Sequence, residues 1–197
     1  MMKKILSSAI LLASVTAGAG ENYFSNEWDA KGLIAIEGSG GSMNLKQQNG
    51  SSIAADDSTG AGSLALKLGG ESRYYRLFVE GRYYMLDADG FKSSKAGSLG
   101  LQIDYLIRAG EHFNIFMGLN GGAIYSEFQT DGTVDNKFVN QNGYAGAQAG
   151  VNIDIIDNLG VELGVRAKHV FTDDDTYAIS SSYDGYVALV FKFTGEY

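Results

Sequence analysis

Residues 159–171 alternate without a break. Leu159, Val161, Leu163, Val165, Ala167, His169 and Phe171 share one parity; Gly160, Glu162, Gly164, Arg166 and Lys168 share the other. A period of two marks a strand with one apolar and one polar face. The same pattern predicts eight strands, near 31–43, 61–69, 72–85, 96–108, 112–126, 142–156, 158–171 and 183–194. A soluble sandwich buries the apolar face, whereas a membrane barrel turns it towards lipid and keeps charge in the lumen. The alternation alone serves both.

The connections separate the two. After the second, fourth and sixth strands they are short: Gly69-Gly70-Glu71, Ala109-Gly110-Glu111, and Asp157 with its neighbours. After the first, third, fifth and seventh they are long and polar: Asn44–Gly60, Leu86–Lys95, Glu127–Gln141 and Thr172–Ser182. Short turns at one end and long loops at the other are the pattern of outer-membrane barrels, with the turns periplasmic and the loops extracellular. Aromatics near strand ends (Tyr75, Tyr83, Phe113, Tyr125, Phe171, Phe193) suit two interfacial girdles. The expected fold is therefore all-β, an eight-stranded antiparallel up-and-down transmembrane barrel whose eighth strand closes on the first and leaves no free edge.

The chain's start supports export. Met1-Met2-Lys3-Lys4 is basic, Ile5 to Val15 is short and mostly apolar, and Thr16-Ala17-Gly18-Ala19-Gly20 is small. That order is a secretory signal, expected over residues 1–20, with residues 21–197 forming the barrel domain. No stretch reaches the 18 or so apolar residues of a membrane-spanning helix. Removing Lys3 and Lys4 takes the net charge from −8 to −10, which excludes a nucleic-acid binder. There is no cysteine, so no disulfide framework and no thiolate chemistry. Twenty-seven glycines and twelve tyrosines favour a sheet protein with tight turns. No cofactor or metal is expected.

The inward faces carry the candidate site. A luminal charge network is expected from Glu37, Lys67, Arg76, Glu80, Arg82, Asp104, Asp154, Glu162, Arg166, Lys168 and Lys192. Gln102, Arg108, Asn114, Asn120, Gln148 and Asn152 share the same faces, giving seven cations against five anions. Eight strands enclose a space just wide enough for side chains, so such a network fills the barrel and leaves no wide pore. Opposite charges at similar depth are expected to meet, for example Glu162 and Arg166 against Lys192.

On these features the chain resembles the small outer-membrane β-barrels, among them the OmpA transmembrane domain, OmpX and opacity-type surface proteins. The likeness covers about Lys31 to Phe193. Its most specific part is Tyr183-x-Gly185-Tyr186-Val187-Ala188-Leu189-Val190-Phe191-Lys192-Phe193, which is similar to the closing-strand signal read by the barrel assembly machinery. The resemblance implies Tyr186, Phe191 and Phe193 as signal residues, although Thr194-Gly195-Glu196-Tyr197 follow and the terminal aromatic is Tyr. It implies outer-membrane lipid, lipopolysaccharide, periplasmic chaperones and the assembly machinery as partners, a monomer, and no nucleic acid. The expected role is structural or surface-facing, in the outer membrane of a Gram-negative bacterium.

Other chemistry is thinly represented. Asp56-Asp57, Asp87-x-Asp89-Gly90, Asp131, Asp135 and Asp173-Asp174-Asp175 lie in the loops; Asp87-Ala88-Asp89-Gly90 resembles half a calcium loop but lacks its later Glu, so solvation of surface loops is the simpler reading. The loops themselves suit contact with external ligands. A lipid-modifying enzyme needs a His beside a Ser. Of the two histidines, His112 falls in a turn and His169 near the outer interface with Phe171 two residues on. Ser126 and Ser181 are not expected beside His169 from sequence alone, so a girdle histidine is the simpler reading. A narrow porin or channel is the other alternative.

Overall fold

The computed structural model describes residues 31–49, 52–87, 91–130, 137–172 and 177–194. The signal segment, Asp89-Gly90, Asp131, Asp135, Asp173–Asp175 and the last three residues lie outside them.

Eight strands form in chain order: β1 Lys31–Asn49, β2 Ser52–Glu71, β3 Tyr75–Asp87, β4 Phe91–Arg108, β5 Phe113–Thr130, β6 Lys137–Ile156, β7 Leu159–Phe171 and β8 Tyr177–Thr194. Each pairs antiparallel with the next, and β8 pairs with β1 from Lys31↔Thr194 upwards, closing the barrel. Closure leaves the shared wall no open strand edge, which an apolar surrounding demands. The tight end has three short turns. Ser72 N–H donates to Tyr75 O at 2.8 Å, Ala109 N–H to Phe113 O at 3.1 Å, and Asp157-Asn158 form the third.

Facing follows the predicted parity. Ile34, Ile36, Leu64, Leu66, Leu68, Leu99, Leu101, Ile103, Met117, Leu119, Leu163, Val187 and Leu189 are all exposed on the outside. Val165 is 65% exposed and Leu119 64%, values that a water-soluble protein does not sustain around its whole circumference. The charged parity is buried within. Two inward glycines show how volume is managed. Gly150 lies opposite Phe116 and Gly164 opposite Tyr186. A methyl group on Gly150 would come within 2.6 Å of the Phe116 ring, and one on Gly164 within 2.6 Å of the Tyr186 hydroxyl. Large rings fit inside because their cross-strand partner has no side chain.

The strands run further than the alternation suggests. β1 continues to Asn49 and β2 begins at Ser52, so most of the segment read as the first loop is paired strand; Asp56 and Asp57 lie on β2 opposite Lys46 and Leu45. β5 and β6 extend in the same way to Gln129↔Lys137. The physical reason is a reversal of polarity. Past the outer girdle the barrel's exterior meets water, so apolar residues turn inward. Met43, Tyr84, Ala96, Ile124, Tyr144, Val170 and Ile179 pack as one buried cluster, with Leu45, Ala61 and Leu86 against it. Every strand contributes at least one of these residues, so the cluster spans the full cross-section. The outward partners at that level include Lys95, Gln141 and Ser181.

An outward charge therefore meets hydrocarbon. Val165→Arg is expected to destabilise the barrel in lipid vesicles by about 2–4 kcal/mol in urea titration, with Val165→Leu near neutral. A neutral Val165→Arg would contradict the assigned facing.

Candidate functional site

The barrel interior gathers the chain's charges into three levels. Nearest the tight turns, Glu71, Arg108, Asp154 and Lys192 meet. Lys192 Nζ lies 2.9 Å from Asp154 Oδ1 and 3.4 Å from Glu71 Oε1; Arg108 Nη2 donates to Glu71 Oε1 at 3.0 Å. Arg108 also donates from Nη1 to Asn114 Oδ1 at 3.2 Å and from Nε to the Arg73 carbonyl at 3.1 Å, clasping the first turn.

The next level centres on Arg76. Its Nε and Nη2 donate to Asp104 Oδ2 at 3.0 and 2.8 Å, while Nη1 lies 2.7 Å from Glu162 Oε2. Gln102 and Gln148 donate to the two Asp104 oxygens at 2.8 and 2.6 Å. The guanidinium sits between the Phe78 and Phe116 rings, 5.1 and 4.9 Å from their centroids. Tyr186 O–H donates to Glu162 Oε1 at 3.0 Å. A buried cation is thus compensated by two carboxylates and two ring faces.

The third level is the densest. Glu37 contacts Lys67 and Arg82 and accepts from Arg166 Nη2 at 3.0 Å on both oxygens. Glu80 accepts from Arg82 Nε and Nη2 at 2.9 Å each, and lies 3.5 Å from Lys168 Nζ. Arg82 Nη1 donates to Ser63 Oγ at 2.7 Å. Asp184 lies 3.8 Å from Arg166. Lys168 links this level to the apolar layer above it: Nζ donates to Tyr84 O–H at 3.0 Å and sits 4.6 Å over the Tyr144 ring.

Every residue expected in the luminal network is placed inside the barrel, and each has an oppositely charged neighbour within 4 Å. One expected meeting is absent. Lys192 does not join Glu162 and Arg166, because β7–β8 register sets Glu162 opposite Ala188, four residues from Lys192. Two anions escaped the sequence reading. Glu71 looked like a turn residue but closes β2 and is buried; Asp184 shares the parity of the inward Tyr186. With them, seven luminal anions meet seven cations among the described residues. Four inward aromatics were also missed, Phe78, Tyr84, Phe116 and Tyr144, and Tyr186, expected only as a closing-strand signal residue, is a fifth inside the lumen. Their signal was available, since each stands on the charged parity of its strand.

The closing-strand trio divides. Phe191 and Phe193 face outward, whereas Tyr186 is buried against Glu162. His112 is exposed in its turn and its carbonyl accepts from Asp154 N–H at 2.8 Å. His169 faces outward, with its ring edge-on to Phe171 at 5.3 Å. Ser126 points into the lumen on β5, across the wall from His169. Ser181, which seemed remote in sequence, is the cross-strand partner of His169, and its Oγ accepts from Asn44 Nδ2 at 3.0 Å. Among the described residues no cluster of His, Asp and Glu is arranged to hold a metal ion.

No known sequence family matches the chain, and no curated protein does. Its structure is similar to solved barrels. Neisserial surface protein A aligns with a TM-score of 0.63 at 15% identity, covering 81% of this chain and 97% of that one. Ail, the attachment invasion locus protein of Yersinia pestis, aligns at 0.51 and 10% identity over 84% and 99%. Outer membrane protein H from P. aeruginosa aligns at 0.51 and 16% identity over 83% and 99%. The chain has the fold of these small eight-stranded outer-membrane barrels.

Removing Arg76 strands two buried carboxylates. Arg76→Met is expected to cost about 3–5 kcal/mol in urea titration from vesicles, and adding Asp104→Asn and Glu162→Gln should recover most of it. A loss under about 1 kcal/mol for the single variant would contradict this account of the centre.

Proposed function

We propose that the chain is a surface-exposed, structural barrel of the bacterial outer membrane whose lumen passes no solute and whose outer hairpins meet the external medium. The observation that supports this best is the closure of the lumen in cross-section. Seven cations and seven anions neutralise one another along the axis, and an apolar layer drawn from all eight strands lies above them. An ion entering from outside must cross that largely apolar layer, where only hydroxyls such as that of Tyr84 replace its hydration shell, and constrictions of this kind oppose conduction.

The outer hairpins support the surface-facing part. β1–β2 and β5–β6 stay paired well beyond the ends of their shorter neighbours β3 and β7, which stop at Asp87 and Phe171. They stand above the outer girdle of Tyr83, Tyr125, Phe171 and Tyr183. Two structural neighbours carry the names surface protein and attachment invasion locus protein, which agrees with a role at the cell surface. On this reading the partners are outer-membrane lipid and lipopolysaccharide along the wall, external ligands at the hairpins, and chaperones and the assembly machinery during biogenesis. The protein acts as a monomer. Residues 1–20 direct export and are removed.

The reading assigns no catalysis. His169 and Ser181 are cross-strand partners on the outward surface, and among the described residues the imidazole packs against the Phe171 ring edge, with no carboxylate paired to it.

Purified protein in planar lipid bilayers is expected to show no steady conductance steps; large, stable steps would refute the sealed lumen. Incubation with lipopolysaccharide is expected to release no acyl chains, and release abolished by His169→Gln would replace this reading with an enzymatic one.

A further inference from the structure

Leu, Ile, Val, Met and Tyr stud most of the outer wall, but in two places it sinks into a shallow groove. The first groove crosses β6, β7 and β8. It measures about 560 Å³ and is lined by the outward Ala147, Ala149, Val165, Ala167, Tyr183 and Gly185, with Gln148, Arg166 and Asp184 behind them. The second crosses β8, β1, β2 and β3. It measures about 460 Å³ and is lined by the outward Gly38, Gly40, Gly62, Leu64, Met85, Gly185 and Val187, with Ser39, Ser63 and Tyr186 behind them. The two share Gly185, two residues from Tyr183 of the outer girdle. Both volumes fall in the range of about 300–1,000 Å³ that suits small-molecule sites. Both grooves are continuous with the face turned towards hydrocarbon, so their occupant is drawn from the membrane.

The floor of the second groove has no cause inside the protein. Gly185, Gly40 and Gly62 stand side by side on β8, β1 and β2, with Gly40 paired to both of the others. A methyl group on Gly40 would meet no atom within 4 Å, and one on Gly62 none nearer than 3.9 Å. Gly150 and Gly164 differ, because inner rings claim their space. None of the three outward glycines has a positive φ, and both ladders of β1 pass Gly40 without a bulge. Strand glycines with neither bulge nor turn to explain them mark a place where a ligand or another backbone comes close.

Above the grooves the outward face turns polar. His169, Ser181, Asn44 and Ser58 are successive cross-strand partners on β7, β8, β1 and β2, and Asn44 Nδ2 donates to Ser181 Oγ at 3.0 Å. The row stands one outward position beyond Tyr183, at the level where lipid heads begin. Its breadth is three strand spacings of about 4.8 Å, or about 14 Å. A phospholipid head with two adjacent chains covers only part of that breadth. We propose that the two grooves and the polar row form one site for a multi-acylated glycolipid of the lipid A type. Its acyl chains lie in the grooves, and the sugar and ester oxygens of its head meet His169, Ser181, Asn44 and Ser58. Imidazole, amide and hydroxyl groups hydrogen-bond such oxygens without requiring a net charge. The inference rests on the outer-membrane reading for its occupant and adds the place on the wall where that lipid sits.

Native mass spectrometry of the full chain, extracted from phosphatidylcholine vesicles that contain a minor fraction of lipid A, tests the site. The wild type is expected to retain lipid A several-fold more often than phosphatidylcholine. Gly40→Leu with Gly62→Leu grows side chains into the second groove, and is expected to cut lipid A retention several-fold with unchanged heat-modifiable gel migration. Ala123→Leu, outward on β5 and away from both grooves, should leave retention as it is. Should the glycine pair fail to assemble, Ala147→Leu with Ala149→Leu fills the first groove and the same loss is expected. His169→Ala with Asn44→Ala should bring lipid A down to the phosphatidylcholine level. Unchanged retention in the groove-filled or the row variants would overturn the proposal. So would equal retention of the two lipids by the wild type, or a second copy of the chain retained in place of lipid. Conductance or acyl release would refute the structural reading while lipid A retention persists, and loss of retention with neither would refute the site alone, so the two failures are distinguishable.

Discussion

A charge on the axis of an eight-stranded barrel has no water to retreat to, and its only substitute is an opposite charge within reach. That constraint organises the molecule. Glu37 answers three cations at once, Arg76 answers two carboxylates, and Lys192 draws Glu71 and Asp154 together at the tight end. Such pairs do not make the barrel stable in proportion to their number, because desolvation offsets most of what attraction returns. They make each one hard to remove alone. The net favourable terms come from hydrocarbon against the outer wall and from a closed ladder with no unpaired edge.

The rings inside the barrel follow from the same constraint. A guanidinium needs more than carboxylates to fill its surroundings, and aromatic faces supply contact without adding charge. Phe78 and Phe116 bracket Arg76, Tyr186 lies under Arg166 at 4.5 Å, and Tyr144 lies under Lys168. Glycines opposite Phe116 and Tyr186 give these rings their room. The aromatic layer at the outer end then continues upwards as an ordinary apolar core, because the exterior there is water and the inside-out rule has reversed.

Much of this was legible in the chain. Strict alternation in 159–171 fixes which of Val165 and Arg166 meets lipid, and the structure agrees at both positions. The parity of Glu37, Lys67, Glu80 and Arg166 brought them to the lumen, though only register could show that Glu37 is the hub. What was lost has specific causes. The outer parts of β1 and β2 read as loop because Ser, Gln and Asp dominate them and their alternation changes meaning above the girdle. Glu71 was hidden by two adjacent glycines that resembled a turn. Lys192 and Ser181 were misjudged because cross-strand partnership depends on register, which a single sequence does not print.

Hydrocarbon lies outside and ionic groups inside along one continuous wall. Spin labels placed singly at Val187, Ala188, Leu189 and Val190 in lipid bilayers read this directly through collision with oxygen and with a water-soluble nickel chelate. The account predicts high oxygen access at Val187 and Leu189 and low access to both reagents at Ala188 and Val190. Oxygen access that is uniform along the four positions, or highest at Ala188 and Val190, would contradict it.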